Sequence, residues 1–185
     1  VLSDELVAEL ETALAKNDDC VAYYLPKEVR MFGSWVRIGQ MPLPWLGRKD
    51  AIEITDEYVH EQPQVRPEYE GRTRTCSNPI HHYSFENVSD YLEKLDQYTS
   101  LEALDIVESD RSPTFARYLV RGVGVFWSRL LLRKGILDGF ASVFFAFASM
   151  QYEIVTYAKI RELRELRAEN PDDWKAEWVE TRCQR

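Results

Sequence analysis

Histidine and cysteine are scarce in this 185-residue chain, three of each. Cys20, Cys76 and Cys183 are odd in number and far apart, which argues against a disulfide-stapled secreted scaffold and for a reducing compartment. No CxxC or HxxxH spacing is present, so zinc would have to rest on Cys76 with His81 or His82 alone. A glycine-rich phosphate loop, a GxSxG elbow and an HExxH helix are also missing. Long apolar runs are absent. The longest uncharged stretch, residues 139–152, rises about 21 Å as a helix, against a hydrocarbon core about 30 Å thick. We therefore expect a buried or re-entrant segment there. No basic region precedes an apolar run at the start, so no signal peptide is expected. The chain begins at Val1 with a helix start already at Ser3, which suggests a processed chain or a fragment.

What is present is apolar enough, at 45%, to build a real core. The net charge of −8 conceals an asymmetry. Residues 1–110 carry 10 Lys and Arg against 22 Asp and Glu, whereas residues 111–167 carry 10 against 4. An acidic protein with one basic, aromatic, helical block is a poor general nucleic-acid binder and suits an anionic membrane surface better.

Ser3, Asp4 and Glu5 form a helix start, followed at helical spacing by Leu6, Val7, Leu10, Ala13 and Leu14. Residues 20–25, 29–32 and 34–38 read as short strands, the last two around Gly33. Residues 41–45 hold Pro42 and Pro44 and are expected to be irregular, either covering a ligand with Trp45 or packing on the core. Residues 52–59 read as a half-buried strand running into His60 and Glu61, and residues 65–76 as a second extended piece. Asn78-Pro79 turns the chain into Ile80-His81-His82-Tyr83.

The apolar period then becomes helical. Ser84 or Asn87 caps a helix to about residue 108, with Val88, Tyr91, Leu92, Leu95, Tyr98 and Thr99 on one face. Ser112-Pro113 starts a second helix, which Gly135 stops, and Asp138 caps a third that runs to about Arg167. The tail from residue 168 is expected to be loose or a last short helix, and Trp174 and Trp178 are left between lipid anchors and packing groups.

All three histidines collect between Tyr58 and Tyr83, where strands give way to helices. Glu61, beside His60 at a strand end, is the best general base in the chain, since a carboxylate taking a proton from a hydroxyl needs a rigid support. A solvated strand-end glutamate is the plainer alternative. His81 and His82 offer a metal ligand or, alternatively, packed or capping imidazoles.

Taken in order, Tyr58-Val59-His60-Glu61, the run from Asn78 to Tyr83, Ser89-Asp90-Tyr91-Leu92 with Lys94, Leu95, Tyr98, Thr99, Glu102 and Ala103, then Gly135-Ile136-Leu137-Asp138-Gly139 and Tyr157-Ala158-Lys159, resemble the C-terminal half of family 2 glycosyltransferases. The closest branch is similar to bacterial lipopolysaccharide core β-glucosyltransferases, and the resemblance runs from residue 1 to about 165. It implies an α/β fold, mixed α and β in this chain, forming the C-terminal portion of a GT-A fold. Residues 1–83 would be the acceptor side, 84–167 a basic, membrane-associating helical region and 168–185 a tail.

By the same resemblance, Glu61 is the base of an inverting hexosyl transfer, with His60 orienting it or touching substrate. Trp35, Arg37 and Gly39 lie on the acceptor-side turn, and His82 ligates a divalent metal, Mg or Mn. The donor is a nucleotide sugar. The acceptor is a lipid-linked or envelope glycan, reached from the cytoplasmic face of a membrane by a peripheral protein. The chain departs from the family where Trp45-Leu46-Gly47 replaces an Arg-Leu pair and where Ser142 replaces a glycine. The family's Asp-x-Asp, which holds metal and diphosphate, is absent and would fall upstream of Val1, so the chain is expected to be inactive alone. The competing expectation is a non-catalytic membrane-surface or partner-binding module on the same scaffold.

Overall fold

The computed structural model describes residues 1–16, 18–36, 42–55, 62–133 and 135–183. They form a mixed α and β protein that divides into two compact units, Val1–Ser84 and Phe85–Arg185.

The first unit opens with α1 (Asp4–Ala15), whose Ser3 side chain accepts a hydrogen bond from the Leu6 N–H, as the hydroxyl cap requires. Its buried face is narrower than the sequence suggests: Leu6, Leu10 and Ala13 are covered, whereas Val7 and Leu14 are exposed. That face packs on Tyr23 and Leu25 of β1 (Ala22–Leu25) and on Cys76. β2 (Lys27–Met31) and β3 (Ser34–Val36) form a hairpin closed by Phe32 and Gly33, both at positive φ (49° and 77°). A two-residue loop of this hand matches the strands' own twist, and Gly33 supplies one of the two left-handed positions without cost. The hairpin sets Arg30 directly opposite Trp35.

β4 (Leu43–Gly47) corrects the expectation of irregular structure around the two prolines. It pairs antiparallel with β1, and β7 (Thr73–Thr75) pairs parallel with β1 on the other side. Proline is tolerated because β4 lies at the sheet edge and the register shifts between Tyr23 and Leu25, where Pro44 need not donate. β5 (Ile52–Ile54) and β6 (Pro63–Val65) form a separate antiparallel pair. The single extended piece expected over 65–76 is instead the end of β6, a 3-10 turn at Pro67–Tyr69, and β7. Pro67 and Gly71, the latter at φ 84°, break it. β8 (Ile80–Phe85) closes a third sheet in the order β3-β2-β8.

In the second unit Asn87 caps α2 (Val88–Glu108), its side chain accepting from the Asp90 N–H. α2 buries Tyr91, Leu95, Thr99, Ser100, Ala103, Leu104, Ile106 and Val107, while Val88, Leu92 and Tyr98 stay exposed. The apolar stripe therefore winds further round the helix than the sequence face implies, because residues 140–169 and 174–178 both pack on it. α3 (Phe115–Trp127) is capped by Thr114 rather than Ser112, with Pro113 ahead of the cap. A π-helical turn at Ser128–Leu132 and a 3-10 turn at Gly135–Asp138 lead to α4 (Phe140–Glu169). Gly139 (φ 83°) precedes α4 with no side-chain cap, so Asp138 does not serve as one.

The core of this unit gathers Leu104 and Val107 of α2, Tyr118 of α3, Ile160 and Leu163 of α4, and Trp178 of α5 (Trp174–Trp178). The tail is thus packed: Trp178 is buried and its Nε1 donates to the Ser100 carbonyl at 3.1 Å. Lys159 is buried as well, its ammonium donating to Ser100 Oγ, Asp96 Oδ1 and the Asp96 carbonyl at 2.7, 2.7 and 2.5 Å. Several positions that carry the family resemblance, Tyr91, Leu95, Thr99, Ala103 and Lys159 among them, therefore have structural work in the α2–α4 contact.

Candidate functional site

Alternation along a strand turns every second side chain to the same face. On β2 it buries Val29 and Met31 and sends Glu28 and Arg30 to the other face. On β3 it buries Val36 and leaves Trp35 on the face of Arg30, with 40% of its surface open to solvent. On β8 the partners on that face are His81 and Tyr83: their rings lie 4.7 and 5.9 Å from Trp35, centroid to centroid. The Arg30 guanidinium stands 5.8 Å from both the Trp35 and the Tyr83 ring, where a cation meets the negative face of each. Arg30 Nε also donates to the Gly33 carbonyl at 3.4 Å, and His81 Nε2 is 3.9 Å from Glu28. Three strands thus present two exposed rings, an imidazole, a guanidinium and a carboxylate on one open face.

The support beneath this face is specific. Glu9 of α1 accepts from the Ser77 and Asn78 N–H groups at 2.7 and 2.9 Å and from Asn78 Nδ2 at 2.8 Å. The two backbone donors, Ser77 first, hold its carboxyl below the usual range. That clamp fixes the Asn78-Pro79 turn from which β8 departs. Val1 is tied to the same strand, its backbone nitrogen donating to the His81 carbonyl at 2.6 Å and its carbonyl accepting from His81 N–H at 3.0 Å.

Of the residues expected to act, Trp35 is brought together with His81 and Tyr83. His82 follows the opposite alternation and leaves β8 on the other side from Trp35. Glu61, His60, Arg37 and Gly39 lie outside the described residues. Among the described residues no three His, Cys, Asp or Glu side chains converge on a point where a metal would sit. His82 and its described neighbours therefore do not by themselves fit a metal site. A cavity of about 350 Å³ beside α1, lined by Glu9, Lys16, Arg74 and Cys76 among others, includes neither Trp35 nor a histidine.

Arg30 and Glu28 were not singled out from the sequence. The signal was available: in Lys27-Glu28-Val29-Arg30-Met31 the alternating apolar residues place both charges on one face, opposite the core. An exposed indole beside an exposed phenol suits a sugar ring, whose C–H bonds carry slight positive charge and settle on the negative aromatic face. Arg30, His81 and Glu28 around the rings then offer donors and an acceptor for hydroxyls.

No family model, no curated protein and no solved structure matches this chain.

Proposed function

We propose that this chain is the acceptor-side part of a family 2, GT-A type glycosyltransferase working at a membrane surface. It moves a hexose from a nucleotide sugar to a lipid-linked or envelope glycan, with inversion. The observation that carries the reading is the open face of β2, β3 and β8, where Trp35, Tyr83, His81 and Arg30 make a platform of the chemistry that holds a glycan.

In this reading the acceptor sugar rests on Trp35 and Tyr83. Glu61 takes the proton from its hydroxyl as that oxygen bonds to the anomeric carbon of the donor sugar. The nucleoside diphosphate leaves with the electron pair of the broken bond, and one displacement inverts the centre. His60 orients the carboxylate. A divalent metal, if bound, would supply positive charge against the departing diphosphate. The attachment in this reading is peripheral, on the cytoplasmic face; among the described residues no helix is long and apolar enough to cross a membrane.

The test uses the protein expressed from its complete reading frame, with labelled nucleotide sugars and membrane glycolipid acceptors. Glu61→Gln should lower turnover about 10²–10⁴-fold, the contribution of a positioned general base, with acceptor affinity unchanged. Undiminished turnover in Glu61→Gln removes the base. No transfer by the wild type with any donor, while glycan binding persists, favours a non-catalytic binding module on the same scaffold.

A further inference from the structure

α3 and α4 form an antiparallel hairpin: Tyr118 meets Tyr157, Gly122 meets Met150 and Glu153, and Arg129 meets Phe145. Its tip is the π turn at Ser128–Leu132 and the 3-10 turn at Gly135–Asp138. The tip is apolar and bare. Leu132, Leu137 and Phe140 are 81%, 77% and 75% exposed, and Leu131 and Ile136 are also open to solvent.

At the start of α4 small residues face inward, while Phe144 and Phe145 are half-buried. The start of α4 buries its small residues, Ala141, Ser142, Ala146 and Ala148, and turns Phe140, Val143 and Phe147 outward. Of residues 139–152, expected to be buried or re-entrant, these small ones are buried while Phe140, Val143 and Phe147 are exposed. The facing contact on α3 is Gly122, where a Cβ would lie 3.3 Å from the Met150 carbonyl. Close backbone approach through small residues, with large apolar groups outside, is how helices pack when their surroundings are lipid.

Cations collar the tip. Arg129 lies with its guanidinium 4.2 Å from the Phe145 ring, and its Nη1 has no hydrogen-bond partner among the described residues. Burial first, then the neighbouring Arg133, pushes Arg129 down to about 10. Exposed Arg133 stands between Leu132 and Gly135 in the tip itself, and half-buried Asp138 follows Leu137. The hairpin belongs to the one basic stretch of an otherwise acidic chain, ten Lys and Arg against four Asp and Glu over residues 111–167.

We propose that this hairpin tip inserts into an anionic lipid bilayer, with Leu131, Leu132, Ile136, Leu137 and Phe140 among the upper acyl chains. Arg133, which is exposed, takes the lipid phosphates at headgroup level. The convex, bare shape favours a fluid apolar phase over a protein groove, and the charge selects anionic lipid. Eight residues of α4, from Phe140 to Phe147, rise only about 12 Å. The tip therefore enters one leaflet, about 5–10 Å past the headgroup boundary, and does not cross. The inference rests on the membrane-surface part of the proposed function and is independent of its chemistry.

The experiment is cosedimentation with vesicles of phosphatidylcholine alone or mixed with phosphatidylglycerol, with circular dichroism of every variant. The wild type should bind the mixed vesicles and be released as salt rises. Leu132→Glu with Leu137→Glu should weaken binding at least about tenfold with unchanged helicity, because both side chains are already in water. Arg133→Glu should reduce binding to mixed vesicles and leave the weak binding to neutral ones. Equal binding by the Leu132/Leu137 variant overturns the proposal. So does failure of the wild type to bind lipid while sedimentation velocity shows a dimer that this variant dissolves, since a second copy would then be the occupant. Transfer to a water-soluble acceptor should be the same in wild type and tip variants, so loss of insertion and loss of the glycosyltransferase reading give different results.

Discussion

Removing the acid of the buried α2–α4 ion pair should destabilise the helical unit more than removing its base. Lys159 Nζ sits between Asp96 Oδ1, the Asp96 carbonyl and Ser100 Oγ. In Lys159→Met the aliphatic stem survives and the ammonium no longer has to be desolvated. The groups left behind keep partners: Ser100 Oγ still donates to the Asp96 carbonyl at 2.7 Å, and the Asp96 carboxylate, 49% exposed, turns to water. Replacing a buried charge by an apolar group of similar volume is often close to neutral, so the cost should stay within about 1 kcal/mol. In Asp96→Ala, by contrast, the buried ammonium remains with two neutral acceptors. Breaking a buried pair from one side costs about 3–5 kcal/mol, and the solvent exposure of Asp96 lowers this to about 2–3 kcal/mol. For a unit of roughly 100 residues that is a fall of about 10–20 °C in the unfolding midpoint, against about 6 °C or less for Lys159→Met. Thermal and urea melts followed by circular dichroism at 222 nm read both. A Lys159→Met midpoint as low as that of Asp96→Ala refutes the reasoning.

Two further outcomes follow from the first unit. Gly47→Ala should destabilise by about 1–3 kcal/mol in urea melts, because the new Cβ would stand 2.6 Å from Ile52 Cδ1 and 2.7 Å from the Val21 carbonyl. Glu9 has its pKa lowered from 4.5 by the Ser77 and then the Asn78 N–H groups, so its contribution is full above pH 4.5 and is lost as pH falls through the lowered value. Glu9→Gln should remove that part of the acid dependence of stability, and an unchanged acid limb in pH-jump melts would contradict it.

Much of the architecture was legible because local chemistry agrees with the fold. The Ser3 and Asn87 caps, the hairpin turn at Gly33 and the Asn78-Pro79 turn into β8 each follow from residues acting on their own backbone. The failures come where a neighbour decides. Pro44 reads as a breaker, yet an edge position with a register shift needs no N–H from it. Residues 139–152 read as buried or re-entrant, but which side a uniformly apolar helix shows depends on what covers it: Ala141, Ser142, Ala146 and Ala148 are buried and Phe140 and Phe147 are exposed. The tail Trp178 found its place among core residues of α2 and α4 and through a carbonyl on α2, 78 residues away.

The candidate site was legible in part. Trp35 lies on the open face beside Arg30, its partner across the Gly33 hairpin, while Tyr83 comes from β8, whose pairing no local signal specifies. Exchange of side between His81 and His82 turns on a one-residue register, so the sequence alone left both histidines open.

Steady-state transfer with varied acceptor, comparing wild type with Trp35→Ala, bears most directly on the claim that a glycan lies on the β2–β3–β8 face. Removing the exposed indole should raise the acceptor KM about tenfold, some 1.4 kcal/mol of binding, and leave the nucleotide-sugar KM unchanged. An unaltered acceptor KM, or an equal rise for donor and acceptor, would contradict it.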